Sequence, residues 1–231
     1  MGTWPISRWA EAMAWRIGLV DSCGSGPGGF AAAQFARREA DVVRGDVLPD
    51  ESGHGSRIAR IIGEGRDDVA FAFAQVLDAS GRTSADCVAA GIDWCLGQSV
   101  DLIHLSLGLI EDRQVLRASI ERAVAAGRVV VASVPARGDV PYPAAYPGVL
   151  RATGDARCAP GQVSWLSPTT FGGCPRAAAG AGVGASIGAA HVTRALIDAA
   201  GPCDGREAIS LLSQLAAWTG PEQRGAAPPE T

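Results

Sequence analysis

The sequence predicts an α/β protein of three layers, with a doubly wound, mostly parallel sheet and helices on both faces. Short apolar runs recur along the chain at residues 16–20 (RIGLV), 69–77 (VAFAFAQVL), 100–107 and 128–134 (RVVVASV). They are apolar throughout rather than at alternate positions, which is typical of strands buried on both faces. Amphipathic stretches separate these runs, and a composition that is 47% hydrophobic with 30 glycines suits closely packed layers.

The stretches between the runs predict the helices. Apolar residues recur at helical spacing in residues 85–96 (ADCVAAGIDWCL) and 113–126. Three isoleucines after His54 have the same spacing and predict a further helix. In sheets of this kind the chemistry lies at the carboxyl ends of the strands. Asp21 and the segment Ser106-Leu107-Gly108 each end an apolar run, so we expect both at that edge.

Length and composition restrict the function classes. A chain of 231 residues predicts a single domain over residues 1–219, followed by a disordered tail at 220–231 (GPEQRGAAPPET). The net charge of −4 gives no basic surface for a nucleic-acid partner. Apolar runs stay below the roughly 18 residues of a membrane span, and the N-terminus does not have the pattern of a secretory signal.

The six cysteines are scattered without the spacing of metal ligands or of a redox pair. We therefore expect six free thiols, a cytoplasmic location, and neither a metal ion nor another cofactor.

One glycine-rich segment suggests a different function. Gly24, Gly26 and Gly29 form G-x-G-x-x-G after the first apolar run, ahead of a stretch with a helical pattern, and acids follow at Asp41 and Asp46. This is the arrangement of a dinucleotide-binding loop. The alternative is a glycine-rich connection between strand and helix that binds nothing.

The stretch 182–195, GVGASIGAAHVTRA, places a serine at the start of an apolar helix. Gly184 and Ala185 permit a tight turn, and Ser186 is predicted as the helix N-cap. A serine there presents both its hydroxyl and its backbone N–H to a cleft, as a nucleophile beside an oxyanion site requires. The alternative is an ordinary capping serine.

Only one of the three histidines has the setting of a proton-transfer residue. His104 lies within an apolar run and His191 lies in the helix after Ser186, so both are predicted to be structural. His54 lies between two glycines just before a predicted helix, which leaves its ring accessible.

Five blocks of the sequence, between residues 16 and 212, together resemble the subtilisin-like serine peptidases. They are GLVDS, GHGSRIA, DLIHLSLG, PYPAAYPGVLRATG and GASIGAAHV, in that family's order. The resemblance implies a triad of Asp21, His54 and Ser186 that performs acyl transfer on a peptide or protein substrate. It also implies that Gly81-Arg82-Thr83 and Ser106-Leu107-Gly108 hold an extended substrate by main-chain pairing.

The chain departs from the family at the oxyanion site. The family has an asparagine donor after the fourth strand, where this chain has Ala136, or Pro135 if the register slips by one. The backbone N–H of Ser186 remains, and four polar side chains are candidates for the second donor: Arg137, Gln162, Thr169 and Thr170. The serine block itself has Ala185 for threonine and Ala190 for proline.

These departures favour a dedicated enzyme over a digestive one. The weakened oxyanion site and a start close to the catalytic domain, with no room for a folding pro-segment, are similar to small subtilisin-like maturation proteases. One such protease is associated with quinohemoprotein amine dehydrogenase, and the substrate would then be a modified precursor. A catalytically impaired pseudopeptidase that binds a peptide is the alternative.

Overall fold

The computed structural model describes residues 14–22, 28–177 and 182–221. Ten strands of the described chain form one sheet in the order β10-β8-β9-β7-β6-β5-β1-β4-β2-β3. The six strands from β7 to β2 are parallel to one another, and the antiparallel pairs β8–β9 and β2–β3 flank them. This confirms the predicted α/β class with a mostly parallel sheet.

Three strands precede the first helix, helices and strands then alternate as far as the sixth strand, and three further strands lead to the last two helices and the tenth strand. The strands are β1 (Trp15–Asp21), β2 (Gly29–Arg38), β3 (Asp41–Gly45), β4 (Val69–Gln75), β5 (Leu102–Leu105), β6 (Val129–Ser133), β7 (Val149–Gly154), β8 (Val163–Ser167), β9 (Thr170–Gly173) and β10 (Trp218–Thr219). The helices are α1 (His54–Gly63), α2 (Ala85–Gly97), α3 (Gln114–Ala125), α4 (Ala185–Ala199) and α5 (Gly205–Leu215).

The helices cover both faces of the sheet, as predicted. On one face α1, α4 and α5 enclose a core that includes Phe71 and Phe73, whose rings stack 5.5 Å apart. On the other face α2 and α3 pack over a second core that includes Ile103 and Val130. β1 lies near the middle of the sheet between β4 and β5, so the chain reverses its winding direction there. Open α/β sheets place their functional cleft beyond the carboxyl ends of the strands at such a point.

The predicted helix after the glycine-rich segment is wrong. Residues from Gly29 to Arg38 form β2, which extends the sheet parallel to β4 and then returns antiparallel as β3. Ala33 and Phe35 of β2 are buried against α2, so alternate residues point to the core in a stretch whose composition also fits a helix. A dinucleotide-binding loop needs the N-terminus of a helix, and the structure has a strand instead. Gly24 and Gly26 lie outside the described residues.

The first residue of the predicted tail, Gly220, is bonded to the edge of the sheet. β10 pairs with β8, and Gly220 donates its N–H to the Trp165 carbonyl (2.8 Å) and accepts from the Arg157 guanidinium (2.8 Å). Residues 222–231 lie outside the described part of the chain. No helix among the described residues is long and apolar enough to cross a membrane.

Candidate active site

Asp21 and His54 meet at the carboxyl end of β1. Asp21 is the last residue of that strand and is completely buried, and His54 is the first residue of α1. His54 Nδ1 lies 2.8 Å from Asp21 Oδ1. Since the buried carboxylate is an acceptor, this contact places the proton on Nδ1 and leaves Nε2 of a neutral ring free to act as a base.

A group of four polar residues, Ser22, Asp50, Ser52 and Ser56, holds this pair in place. Ser22 donates its N–H to Asp21 Oδ1 (2.7 Å), and its hydroxyl lies 3.0 Å from Asp50 Oδ1. Asp50 in turn accepts from the N–H groups of Gly53 (2.9 Å) and Ser56 (3.0 Å) at the start of α1. The carboxylate therefore caps the helix that carries His54 and fixes the helix against the end of β1.

The charges of this region act on the pKa of His54. The hydrogen bond to Asp21 raises the pKa of His54 above 6.5, against the opposing effect of partial burial, and the charges of Asp21 and Asp50 raise it further. Burial alone would raise the pKa of Asp50, but hydrogen bonds from Ser56, Ser22 and Ser52 outweigh it and hold that pKa below its usual value of 3.8. The network is therefore electrostatically suited to an imidazolium that forms during a reaction.

Ser186 lies in the first turn of α4, two positions further into the helix than predicted. Gly184 is the N-cap, with φ of 151° in a region that favours glycine, and Ala185 is the first helical residue. The prediction of Ser186 as the N-cap is thus wrong. The first backbone bond of the helix runs from Gly188 N–H to the Gly184 carbonyl, so the Ser186 N–H precedes the intrahelical ladder and can bind an anion.

Glycines seat the start of α4 directly on the sheet. A Cβ added to Gly188 would lie 2.3 Å from the Thr153 carbonyl, and one added to Gly173 would lie 2.4 Å from the Gly188 carbonyl. Any larger residue at either position would push the helix away from β7 and β9. The first turn of α4, with Ser186, is therefore fixed at the carboxyl end of β7.

The Ser186 hydroxyl donates to the Ser106 carbonyl at 3.3 Å. Ser106 follows β5, and because Val20 of β1 is in register with Leu105, Ser106 and Asp21 occupy the next positions on adjacent strands. The nucleophile candidate and the acid–base pair thus converge at the ends of β1 and β5. The described contacts give the hydroxyl no hydrogen bond to His54, so attack on a substrate requires it to leave the Ser106 carbonyl.

One residue of each predicted substrate segment borders the same cleft. Thr83 and Gly108 both border a cleft of 710 Å³, together with Arg37, Ile110 and Val115. Neither segment is a regular strand: Gly81 has φ of 75° in a turn closed by Asp78, and residues 106–108 continue beyond β5. An extended peptide would therefore pair with isolated edges rather than with a formed strand.

The oxyanion side of the site lacks the expected amide. β6 ends at Ser133, Val134 donates its N–H to the Ala152 carbonyl (2.8 Å), and Pro135 and Ala136 follow as exposed residues. Ala136 borders a cleft of 690 Å³ with Arg137 and Thr153. The Thr153 hydroxyl is buried and has no hydrogen-bond partner among the described residues, and no motif in the sequence marks it.

The four candidate donors do not share one location. Arg137 adjoins Ala136 at the cleft. Thr169 and Thr170 lie near the amino end of β7, where Thr170 is in register with Arg151, and this is the opposite end of the strand from α4. Gln162 lies in the turn before β8, and its side-chain oxygen accepts the Ala159 N–H (3.1 Å). Of the predicted set, the structure leaves Arg137 beside the position where the family has asparagine.

Comparison of the sequence with curated proteins finds partial similarity to bacterial proteases, several of which are subtilisins. No protein-family model matches the chain. Among curated proteins it is similar to the minor extracellular protease Epr of Bacillus subtilis (27% identity over 175 residues), covering 64% of this chain and 26% of that protein. It is also similar to a thermostable alkaline protease of Halalkalibacterium halodurans (32% over 112 residues; 44% and 31%). The match to a subtilisin of Bacillus pumilus has 28% identity over 131 residues and covers 49% and 48%. The chain thus spans about a quarter to a half of these relatives.

The fold comparison agrees. Sphericase superposes with a TM-score of 0.65 at 16% identity, over 88% of this chain and 83% of that one. A cold-adapted subtilisin-like serine proteinase gives 0.64 at 15% identity, over 90% and 85%. The chain therefore has the fold of subtilisin-like proteases, and part of its sequence is similar to theirs.

Proposed function

We propose that this protein is a serine endopeptidase in which Ser186 is the nucleophile, His54 the general base and Asp21 the residue that orients His54. The observation that carries the proposal is the 2.8 Å contact between His54 and a buried Asp21, at the same sheet edge as a serine in the first turn of α4. The similarity to proteases supports the same reaction.

The reaction follows from the positions of these groups. Ser186 Oγ attacks the carbonyl carbon of a peptide bond while its proton passes to His54 Nε2, and the buried Asp21 carboxylate stabilises the imidazolium. The backbone N–H of Ser186 donates to the oxyanion that forms. His54 then returns the proton to the leaving amine, and water hydrolyses the acyl-enzyme by the same route in reverse.

We propose further that the substrate is one specific protein, such as a precursor that is trimmed once. An exposed Ala136 in place of an amide donor reduces the stabilisation of the oxyanion, which a single-substrate enzyme tolerates better than a digestive one. The described cysteines, at 87, 95, 158, 174 and 203, are all free thiols, and this supports a reducing, cytoplasmic compartment.

The test is covalent labelling of Ser186 by a fluorophosphonate, followed by peptide mapping. The parent protein should label at Ser186 and cleave a mixed peptide library at a small number of sequences. Ser186→Ala should abolish both labelling and cleavage, because it removes the hydroxyl that attacks the substrate and the probe. Ser213→Ala, which alters a half-buried serine on α5, is the matched control and should label like the parent. Full cleavage by Ser186→Ala would reject the proposal.

A pseudopeptidase that binds a peptide without cutting it is the second candidate. Two observations favour it: Ala136 removes a side-chain donor, and the Ser186 hydroxyl is bonded to Ser106 rather than to His54. The same library separates the candidates. Peptides that are retained intact by the parent protein, with no fluorophosphonate label, would identify the pseudopeptidase.

A further inference from the structure

A completely buried histidine, which the proposed mechanism does not use, connects the helix of the nucleophile to the strand beside it. His104 lies on β5 with 0% of its surface exposed. Its Nδ1 lies 2.9 Å from the Thr193 hydroxyl on α4, and its Nε2 lies 2.8 Å from the Ser106 hydroxyl. Both ring nitrogens are thus paired, and each partner is a hydroxyl that can donate or accept.

The chain of contacts continues to the nucleophile. Ser106 is bonded through its hydroxyl to His104 and through its carbonyl to the Ser186 hydroxyl. Ser186 and Thr193 lie on the same helix, two turns apart, so the path from Thr193 through His104 and Ser106 to Ser186 closes a ring. A ring of this kind fixes the distance between the first turn of α4 and the end of β5.

We propose that His104 is a positioning residue, which holds Ser106 against α4 and so sets the place of the Ser186 hydroxyl relative to His54. The inference rests on the proposed peptidase activity and adds a residue that acts through Ser106 without touching substrate.

The His104 imidazole acts in its neutral form. Burial, together with a smaller contribution from the charge of His54, lowers the pKa of His104 to about 3. One nitrogen therefore carries a proton and the other accepts, so the orientation of both hydroxyls is set by a single tautomer. The ring cannot compete with His54 for the nucleophile's proton at neutral pH.

The experiment alters the two hydroxyls at the ends of the histidine and leaves the catalytic residues in place. Thr193→Val removes the hydroxyl from α4 while keeping the shape, and Ser106→Ala removes the other. Active sites are titrated with the fluorophosphonate so that kcat refers to intact sites. Each variant should lower kcat per site about fivefold with KM within twofold, the effect of one neutral hydrogen bond.

Two further variants separate positioning from stability. Thr193→Ser retains the hydroxyl and should restore kcat to within twofold of the parent. Ser119→Ala removes another fully buried hydroxyl, bonded to Asp93 at 3.1 Å between α2 and α3, and should lower Tm without changing kcat per site. If Thr193→Val does not fold, Ser106→Ala and Thr193→Ser carry the test.

The decisive measurement is the double variant Thr193→Val with Ser106→Ala. Because both hydroxyls act through one imidazole, the double variant should lose about as much kcat as one single variant. Multiplied effects, about 25-fold by the same reasoning, would overturn the inference. So would single variants that lower Tm but keep the parent kcat and KM per site. A parent that neither labels nor cleaves rejects the proposed function and with it this inference, whereas an active parent with indifferent variants rejects this inference alone.

Discussion

The two sides of the candidate site differ in how many polar contacts they contain. On the acid–base side, Asp21, Ser22 and Asp50 accept or share hydrogen bonds with the backbone and side chains of three segments. On the oxyanion side, β6 runs into Pro135, which has no N–H, and Ala136, which has no polar side chain. One side is densely connected, and the other is almost bare.

The difference follows from when each side is charged. A buried carboxylate carries its charge in the resting protein, so Asp21 needs permanent donors to offset the cost of burial. The oxyanion exists only during the reaction, and its donors need no partner in the resting protein beyond solvent. A resting structure therefore shows donors on Asp21 Oδ1, although Asp21 Oδ2 has no partner among the described residues, and it shows the oxyanion side only as accessible N–H groups, such as that of Ser186.

The largest expected effect is on the acid–base side. Asp21→Asn keeps the shape but removes the charge that orients and stabilises His54, so kcat should fall by about 10⁴. The measurement is kcat on the best library peptide. Asp93→Asn, a carboxylate that pairs with Arg122 between α2 and α3, is the matched control and should keep the parent kcat. Equal losses in the two variants would show that Asp21 acts through stability rather than through His54.

A second prediction concerns the bare side. Arg137 borders the cleft beside Ala136, and if its guanidinium donates to the oxyanion, Arg137→Ala should lower kcat/KM by about 10², the usual effect of losing one such donor. Ala136→Asn should then bring no gain, because the fixed φ of Pro135 holds the new amide out of line.

The contrary result for the oxyanion side is equally definite. A tenfold or larger rise in kcat/KM for Ala136→Asn, with Arg137→Ala unchanged, would show that no substitute donor exists and that the site is simply weakened. Arg60→Ala, on the last turn of α1, controls for the loss of one positive charge elsewhere.

The sequence predicted the parts of the fold that depend on continuous apolar runs. β1, β4, β5 and β6 and the helices α2 and α3 lie within a residue or two of the predicted bounds. β2 was predicted as a helix because the run GFAAAQFARR is rich in alanine, and its partner β4 decides the outcome through pairing that local propensity does not contain. The helix α5 and the strands β8 to β10 were not predicted as elements.

The candidate site divides in a similar way. Asp21, His54 and Ser186 lie within short sequence blocks that resemble a known family, so they could be predicted from the sequence alone. The supporting contacts could not: Ser22 lies 28 residues from Asp50, and His104 lies 89 residues from Thr193. Only the winding of the chain brings such pairs together, and no local pattern marks a serine or threonine as the partner of a distant ring.

The smallest expected effect is a shift in the pH dependence of kcat/KM, and it tests whether the hydrogen-bonded network on the acid–base side influences the pKa of His54 as far away as Asp50. His54 must be neutral to accept the Ser186 proton, so kcat/KM should rise with pH through the pKa of His54, which the Asp21 hydrogen bond raises above 6.5. The charge of Asp50 contributes to that rise. Asp50→Asn should therefore move the midpoint of the acid limb of kcat/KM to lower pH.

The same shift in pKa affects stability. Because the fold favours protonated His54, the contribution of His54 to the free energy of unfolding is present below pH 6.5 and is lost as the pH rises through the raised pKa. The control is Glu51→Gln, which removes an exposed charge next in sequence that has no part in the shift. Equal movement of the midpoint in both variants would mean that general surface charge, and not the hydrogen-bonded network, sets the pKa of the base.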